Sequence, residues 1–383
     1  MNLEKLPELV IGKIKSKLPI IQGGMSVGVS LSGLASAVAN NGGIGVIGAA
    51  GIGMLEPDFN KNFKGANERA LIKEIRKARE KSNGPIGVNI MVALSDYDNL
   101  LKVSVLEGID LLLLGAGLPL KFPDELSPQK IYDSNTMIVP IISSARAGKV
   151  IFDYWLKHYD KLPDAVVVEG PKAGGHLGFK KEDLDKKEFQ LENLVKDVMQ
   201  MVMPYEDKCK RKIPVIAAGG IYTGADIFKF LKMGVSGVQM ATRFVATHEC
   251  DAAIEFKQMY VNAKKEDLVI IQSPVGLPGR AIKNEFITDV FNGITKPFKC
   301  YWKCLKTCDF RKAPYCIASA LTNAKMGRLI NGFSFAGANA YLTEKIVSVK
   351  EVFDSIKKEY EEAINSLKEK TNNIIDLNLK KTI

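Results

Sequence analysis

Short apolar runs alternate with helical patterns along most of this chain, and this alternation limits the fold more than any other feature. The runs are rich in small and β-branched residues without a polar alternation, which is typical of parallel strands buried on both faces. Eight such runs occupy residues 18–25, 43–50, 85–91, 110–117, 137–143, 165–168, 213–221 and 234–242. They predict an α/β fold, a closed (β/α)8 TIM barrel, with an open doubly wound sheet as the alternative.

Helical periodicity fills the segments between the runs. Before the third run, for example, Leu71, Ile72, Ile75 and Ala78 lie at helical spacing. After the seventh run, Thr223-Gly-Ala-Asp226 has the form of a capping box. The helices are predicted over residues 31–40, 67–82, 97–106, 147–158, 191–203 and 223–231.

The chain divides into three predicted parts. Residues 1–267 form the barrel, and residues 268–342 form an irregular elaboration at its mouth, which contains most of the cysteines. Residues 343–383 form a C-terminal amphipathic helix, so the barrel is followed by a C-terminal helical elaboration. We expect this helix to dock on the barrel or on another subunit, as in a homodimer. Its apolar positions are Ile346, Val349, Phe353, Ile356, Tyr360 and Ile364.

Composition indicates a folded protein with a large core. Of the 383 residues, 46% are hydrophobic and 25% are charged. No apolar stretch approaches the length of a membrane span, so we expect a cytoplasmic protein with no membrane contact. The net charge is +10, but lysines alternate with acidic residues. This balance suits a small anionic substrate or an acidic protein better than nucleic acid, for which no motif is visible.

The sixth strand breaks into a glycine-rich loop that carries a histidine. Gly174, Gly175 and Gly178 remove side chains on both sides of His176. A flat ligand is then able to approach the backbone while the imidazole stands beside it. The loop predicts a place where a planar cofactor meets an acid or base. The alternative is a loop histidine that makes one structural hydrogen bond.

Two further pairs predict a phosphate site. Gly219-Gly220 and Ala241-Thr242 follow strands seven and eight, where barrels of this type commonly hold phosphate. Free N–H groups, the start of the helix at Thr223 and the Thr242 hydroxyl together form an anion cradle. Residues 23–25 and Asn89, at the ends of strands one and three, are candidates for the wall of a ring-binding site.

Three motifs resemble those of the nitronate monooxygenases, formerly called 2-nitropropane dioxygenases. They are PIIQGGM at residues 19–25, EGPKAGGHLG at 169–178 and PVIAAGGI at 214–221. The resemblance extends from about residue 18 to residue 282 and implies an FMN-dependent barrel enzyme that oxidises alkyl nitronates with dioxygen. Gly24 departs from the pattern, since many members of the family carry Pro or Ala there.

The same motifs are similar to those of flavin-type enoyl-acyl-carrier-protein reductases. The alternative function is therefore reduction of an enoyl thioester on an acyl-carrier protein, or of a quinone, with NAD(P)H as electron donor. A third hypothesis is an FMN-binding or assembly protein without catalysis, although the intact glycine–histidine loop argues against it.

The resemblance also implies roles for individual residues. His176 matches the active-site histidine, as a base or as an electrostatic partner of the substrate. Residues 23–25 and 174–175 would lie against the flavin ring, and Asn89 and Glu169 would lie near its edge. Residues 219–220, Met240 and Thr242 would hold the phosphate. The implied cofactor-binding residues are Gly23, Gly24, Met25, Asn89, Glu169, Gly174, Gly175, Gly219, Gly220, Gln239, Met240 and Thr242.

Four of the six cysteines fall within one short segment, outside the family motifs. Their pattern is Cys300-x3-Cys304-x3-Cys308-x7-Cys316. On a helix the first three would share a face, and thiolates are ligands for zinc and for iron–sulfur clusters. The spacing is not a standard one, and small buried thiols are the alternative. The sequence alone therefore assigns no metal site.

Overall fold

The computed structural model describes residues 3–380, with side chains described as far as residue 369. A hairpin comes first, formed by β1 (Leu9–Ile11) and β2 (Ile14–Ser16). The eight barrel strands follow, with one short strand, β9 (Gly175–His176), outside the barrel. The barrel strands are β3 (Ile20–Gln22), β4 (Gly45–Gly48), β5 (Ile86–Met91), β6 (Leu111–Gly115), β7 (Met137–Ile142), β8 (Val166–Glu169), β10 (Val215–Ala218) and β11 (Gly237–Met240).

The eight strands form one parallel sheet whose two ends meet. The order is β3-β11-β10-β8-β7-β6-β5-β4, and each neighbouring pair is parallel. A parallel bridge between Ile21 and Ile44 joins β3 to β4, with Ile44 N donating to Ile20 O at 2.9 Å. The (β/α)8 barrel is confirmed and the open sheet is excluded.

Helices lie between the strands as predicted, with ends that differ by a few residues. The short helix between β6 and β7 was not predicted, and α6 continues past Pro204 instead of ending at Met203. The helices of the barrel are α1 (Ser32–Asn40), α2 (Phe63–Lys81), α3 (Tyr97–Leu106), α4 (Pro128–Asp133), α5 (Ala145–Tyr159), α6 (Leu191–Cys209), α7 (Gly224–Lys232) and α8 (Thr242–Val245). The capping box of Thr223 and Asp226 is present at the start of α7.

Two apolar layers hold the barrel together. One lies between the strands and the helices, and the other fills the barrel interior. Leu9 and Ile11 of the β1–β2 hairpin belong to the interior layer and are fully buried, so the hairpin closes the amino-terminal end of the barrel. Only the carboxyl ends of the strands remain as an entrance.

One further helix, α9 (Ile254–Asn262), ends the predicted barrel part, and the elaboration after it is more regular than predicted. The elements of the elaboration are β12 (Leu268–Gln272), β13 (Pro278–Ile282), α10 (Glu285–Phe291) and α11 (Ile317–Lys325). Strands β12 and β13 form an antiparallel hairpin, and β13 pairs with β9 opposite His176. Residues 292–316 form no helix. This segment contains all four clustered cysteines, and Cys316 is its last residue. The sequence did not reveal this three-stranded sheet, because β9, the strand that pairs with β13, lies about a hundred residues earlier in the chain.

The C-terminal helix, α12 (Val349–Lys380), docks on its own barrel. Its predicted apolar positions from Val349 to Ile364 are buried, with Phe353 packed against Phe244 and Tyr360 against Phe228. The helix begins at Val349, later than the predicted segment, and residues 381–383 lie outside the described part. Among the described residues, no helix has the length and apolar character to cross a membrane.

A single carboxylate joins α12 to two helices of the barrel, α7 and α8. Glu359 accepts hydrogen bonds from Gly224 N at 2.7 Å and from Arg243 Nη2 at 2.9 Å. We expect Glu359→Ala to lower the free energy of unfolding by about 1–3 kcal/mol, because Gly224 N loses its acceptor and Arg243 is left with the weaker bond to Ser355 Oγ. Chemical denaturation measures this. Glu362→Ala is the control, since Glu362 is exposed and pairs only with Lys358 on the same helix. Equal stability of the two variants would contradict the prediction.

Candidate functional site

The carboxyl end of the barrel interior contains accessible space. Deeper in the barrel, inward-facing residues such as Val139 and Val167 are fully buried. One layer further toward the carboxyl ends, Asn89, Glu169 and Gln239 face the same interior and are only partly buried. Parallel barrels place their sites at this end, and here the structure brings together residues from three different strands.

Glu169 is the last residue of β8 and is the ionisable group inside this opening. It makes no hydrogen bond with any residue in the described part of the chain, and burial raises the pKa of its carboxyl group to about 7. Desolvation disfavours the charged carboxylate, and no nearby cation offsets this effect. The carboxyl group therefore gains and loses a proton near neutral pH.

Gln239, on β11, presents an unused acceptor to the same space. Its Oε1 atom is buried and has no hydrogen-bond partner among the described residues. Buried polar atoms are satisfied in most native proteins, so an orphaned amide oxygen marks a place where a ligand supplies the donor. Gln239 also packs beside Gly23, since a Cβ at Gly23 would lie 3.5 Å from Gln239 Cγ.

Gly24 and Asn89 are in direct contact, which explains why this chain has glycine at position 24. A Cβ on Gly24 would lie 2.4 Å from Asn89 Cβ and 3.1 Å from Val46 Cγ1. The Asn89 amide donates to Leu113 O at 3.2 Å, which fixes its position. The backbone of residues 23–25 and the side chain of Asn89 thus form one continuous wall of the opening.

The loop that carries His176 is held by the elaboration rather than by the barrel alone. The Arg280 guanidinium donates to the carbonyl groups of Pro171 and Ala173. On the other side, Gly174 packs so closely on residues 336–337 that a Cβ there would lie 2.6 Å from their backbone. The β9–β13 pairing completes this attachment. His176 is therefore positioned by contacts with residues more than one hundred positions further along the chain.

The His176 side chain lies between a hydroxyl and an aromatic ring. Its Nε2 atom shares a 2.8 Å hydrogen bond with Ser273 Oγ, and its ring is 5.0 Å from that of Phe335. Burial lowers the pKa of His176 to about 4, because the charged imidazolium is poorly solvated there. At neutral pH the imidazole is uncharged, so it is suited to proton transfer and hydrogen bonding rather than to charge attraction.

Sequence reasoning missed Ser273 and Phe335. Both belong to the elaboration, and neither lies in a motif whose spacing indicates a link to His176. Ser273 begins the turn between β12 and β13. The sequence predicts this segment to be irregular. The turn becomes part of the site only through the β9–β13 pairing.

The predicted phosphate cradle is partly retained. Gly219 and Gly220 have φ values of +92° and +88°, and their N–H groups have no acceptor elsewhere in the described chain. Asn339 Nδ2 donates to Gly220 O at 2.7 Å and holds this turn. The Lys172 side chain lies over Gly220, where an added Cβ would be 2.7 Å from Lys172 Cβ. Lys172, which the motif analysis did not select, thus adds a cationic side chain near the two N–H groups.

The start of α7 does not belong to the cradle, contrary to the expectation from sequence. The N–H of Gly224 donates to Glu359 of α12, and those of Tyr222 and Thr223 donate to Asp226. These carboxylates already occupy the positive end of the helix. The Thr242 hydroxyl accepts from Gly337 N at 3.0 Å and retains its own proton for a ligand.

Met240 contributes its backbone, rather than its side chain, to the candidate site. The side chain packs in the layer between the strands and the helices and is 2% exposed. Its carbonyl accepts from Gly23 N at 2.9 Å, which ties the ring wall to the turn after β11.

Comparison with known proteins matches this arrangement to one family. The family model for nitronate monooxygenase covers residues 7–359, which extends beyond the resemblance of the three motifs at both ends. The chain belongs to the nitronate monooxygenase family. Membership makes it an oxidoreductase, and a flavin is the cofactor that the family implies.

Relatives with curated names are moderately similar to the chain. A probable nitronate monooxygenase of Staphylococcus saprophyticus is 27% identical over 74% of this chain and 80% of its own length. A (3aS,4S,5R,7aS)-5-hydroxy-7a-methyl-1-oxo-octahydro-1H-indene-4-carboxyl-CoA dehydrogenase of Mycobacterium tuberculosis is 25% identical over 72% of this chain. That match spans 66% of the mycobacterial protein.

Solved structures agree with the fold. FabK from Thermotoga maritima superposes with a TM-score of 0.70 and 29% identity, covering 91% of this chain and 94% of FabK. Nitroalkane oxidase from Streptomyces ansochromogenes has a TM-score of 0.70 and 22% identity, covering 92% of this chain and 98% of its own. The second similarity is one of fold.

The raised pKa of Glu169 predicts a pH-dependent stability. A group whose pKa is raised by folding stabilises the fold while protonated, below its unfolded value, and this contribution is lost as pH rises through about 7. We expect ligand-free wild-type protein to lose stability relative to Glu169→Gln as the pH rises from about 5 to about 8. Urea unfolding across this range measures the difference, with the exposed Glu188→Gln as control. Parallel curves for wild type and Glu169→Gln would show that the carboxyl group titrates normally.

Proposed function

We propose that this chain is an FMN-dependent oxidoreductase that oxidises alkyl nitronates with dioxygen at the carboxyl end of its barrel. The observation that carries the proposal is a set of perturbed polar groups at the carboxyl ends of the barrel strands. Glu169 at the end of β8 has a raised pKa, Gln239 on β11 has an unpartnered oxygen, and His176 on the loop after β8 has a lowered pKa. Perturbed ionisable groups in a cleft are typical of catalytic sites. Membership of the nitronate monooxygenase family supports the choice of reaction.

The residues present fit FMN. The wall of residues 23–25 with Asn89 offers a surface without large side chains for a flat ring, and Gln239 Oε1 offers an acceptor for a ring N–H. The free N–H groups of Gly219 and Gly220, with Lys172 and the Thr242 hydroxyl beside them, would hold one phosphate. When bound, FMN supplies the oxidation of the substrate and the reaction with dioxygen. A single cradle favours FMN over a dinucleotide.

His176 is the group proposed to act on the substrate. Its imidazole is neutral at the pH of the cell, and the bond from Nε2 to Ser273 fixes its orientation. A neutral, oriented imidazole is able to donate a hydrogen bond to an oxygen of the nitronate, or to accept the α-proton of a neutral nitroalkane and so form the nitronate. Because His176 carries no charge, Lys172, whose side chain packs over Gly220, is the residue proposed to attract an anion by charge.

A reductive function on a thioester substrate is the second candidate, and one observation favours the substrate class. The mycobacterial relative is named as a carboxyl-CoA dehydrogenase, which points to a CoA substrate and leaves the direction of electron transfer to the test below. A thioester of CoA or of an acyl-carrier protein would bring phosphate groups to a mouth where Lys172, Lys180 and Lys181 are exposed. In this case NAD(P)H would be the electron donor and the enoyl thioester or a quinone the acceptor. Cytoplasmic location and a homodimer accompany both proposals.

Anaerobic stopped-flow absorbance separates the two candidates. The purified holoprotein is mixed separately with an alkyl nitronate, NADH and NADPH, and the flavin absorbance is followed. Rapid bleaching by the nitronate, with slow or no bleaching by the nicotinamides, supports nitronate oxidation. Rapid bleaching by NADH or NADPH alone overturns it in favour of the reductase.

The cofactor proposal predicts that the protein is isolated yellow, with non-covalent FMN. Acid release and chromatography identify the flavin. We expect Gln239→Leu to weaken FMN binding about tenfold, because the ring loses one hydrogen bond in a buried site. Gln258→Leu, on the exposed face of α9, is the matched control. Release of FAD, or equal FMN affinity for both variants, would contradict these assignments.

Replacing His176 by alanine tests its role. We expect the variant to keep its fold and its FMN but to lose about 100-fold to 10,000-fold of turnover, the usual contribution of a positioned acid or base. Flavin reduction by a nicotinamide, where it occurs, should change less. His158→Ala is the control, since His158 is exposed on α5 and stacks on Tyr154. Normal turnover, or loss of FMN together with turnover, would show that His176 is structural.

A further inference from the structure

The clustered cysteines surround one small cavity beside the barrel mouth. Residues 292–316 connect α10 to α11 without a helix, and this segment folds back on itself. The cavity is otherwise lined mainly by aromatic and aliphatic side chains, among them Phe298, Phe310 and Leu305. All four clustered cysteines line it, namely Cys300, Cys304, Cys308 and Cys316.

The four thiols lie close to one another around this cavity. Cys304 interacts electrostatically with Cys300, Cys308 and Cys316, and Cys300 also interacts with Cys308 and with Cys316. A metal centre binds cysteines as thiolates, and its positive charge offsets theirs inside an apolar pocket.

Two buried donors in the same cavity have no acceptor. Trp302 Nε1 and Tyr315 Oη are buried without a hydrogen-bond partner among the described residues, and both side chains line the cavity. Trp302 lies beside Cys304, although their contact falls short of a normal hydrogen bond. An unsatisfied buried donor costs about 1–3 kcal/mol, so two in one cavity indicate an acceptor-rich occupant.

A third donor already points at a sulfur. Lys303 N donates to Cys300 Sγ at 3.3 Å, and Lys303 has a φ of +41°, which is unusual for a residue with a side chain. Backbone N–H groups aimed at cysteine sulfur are among the features that tune iron–sulfur centres. The Lys303 side chain adds a positive charge beside the cavity.

The four thiols form a donor set of the type that an iron–sulfur cluster takes. Within the described part of the chain, no three Cys, His, Asp or Glu side chains are placed to share one metal ion. The four thiols instead line one cavity. A [4Fe–4S] cluster takes one cysteine at each iron, so its ligands stand further apart than those of one tetrahedral zinc ion. Sulfide and thiolate sulfurs are also the acceptors that Trp302 and Tyr315 lack.

We propose that Cys300, Cys304, Cys308 and Cys316 bind a [4Fe–4S] cluster in this cavity. The proposal does not rest on the nitronate or reductase function, nor on FMN. The position of the cavity relates it to the first site, because Pro274 lines it and Ser273 bonds His176. Its cysteine segment is also fixed to the loop after β5, where Ser95 N donates to Cys304 O at 3.1 Å.

Metal analysis of anaerobically purified full-length protein tests the proposal. The protein is reconstituted with ferric iron, a thiol reductant and sulfide, then desalted and assayed for iron, acid-labile sulfide and zinc. Its iron is examined by Mössbauer spectroscopy. We expect about four iron and four sulfide per chain, with the spectrum of a cubane cluster. One zinc per chain without sulfide would overturn the cluster, and so would a protein that retains no metal.

Serine variants identify the ligands independently of activity. Cys304→Ser and Cys308→Ser should each lose most of the iron and sulfide. Cys209→Ser should keep them, because the Cys209 thiol lies near Glu206 O and Arg211 O, away from the cavity. Thermal unfolding and circular dichroism confirm that each variant is folded. If buried Cys304→Ser fails to fold, the less buried Cys308→Ser provides the same comparison. Full iron and sulfide in a folded Cys308→Ser variant would overturn the assignment.

Discussion

The pairing of β9 with β13 is the interaction on which the candidate site depends. The barrel by itself delivers a flexible glycine-rich loop after β8, and this two-residue ladder fixes it by pairing His176 with Gly279. Because Gly279 has no side chain, the Phe335 ring packs directly on it. A Cβ at Gly279 would lie 2.8 Å from Phe335 Cε1. The same phenylalanine packs on the imidazole. A barrel with an ordinary loop at this point would leave the histidine in solvent, with its pKa near the usual value.

Burial acts in opposite directions on the two ionisable groups of the candidate site. It lowers the pKa of His176 to about 4 and raises that of Glu169 to about 7, since in both cases the neutral form is favoured. At neutral pH the imidazole is therefore uncharged and the carboxyl group is partly ionised. The Lys172 side chain packs over Gly220, so a negative group of a ligand is better held at this glycine turn than beside Glu169.

Unsatisfied hydrogen-bonding groups mark both sites independently of any motif. In the barrel the unmet group is an acceptor, Gln239 Oε1, whereas in the cysteine cavity the unmet groups are donors, on Trp302 and Tyr315. The difference agrees with the chemistry inferred for each place, a ring that donates and a sulfur-rich centre that accepts. The two sites adjoin through the turn at residues 273–274, since Ser273 bonds His176 and Pro274 lines the cysteine cavity.

The sequence by itself determined the barrel and the outline of its site. Buried parallel strands need continuous apolar runs, and helix starts such as Thr223 to Asp226 depend on neighbours three residues apart, so both are visible locally. The glycine turns and His176 follow from the same local rules. Only the tertiary structure decided that Ser273 and Phe335 hold the histidine and that Glu359 covers the start of α7. It also decided that the four cysteines share one cavity. These contacts join elements from distant parts of the chain, where no periodicity or spacing relates one partner to the other.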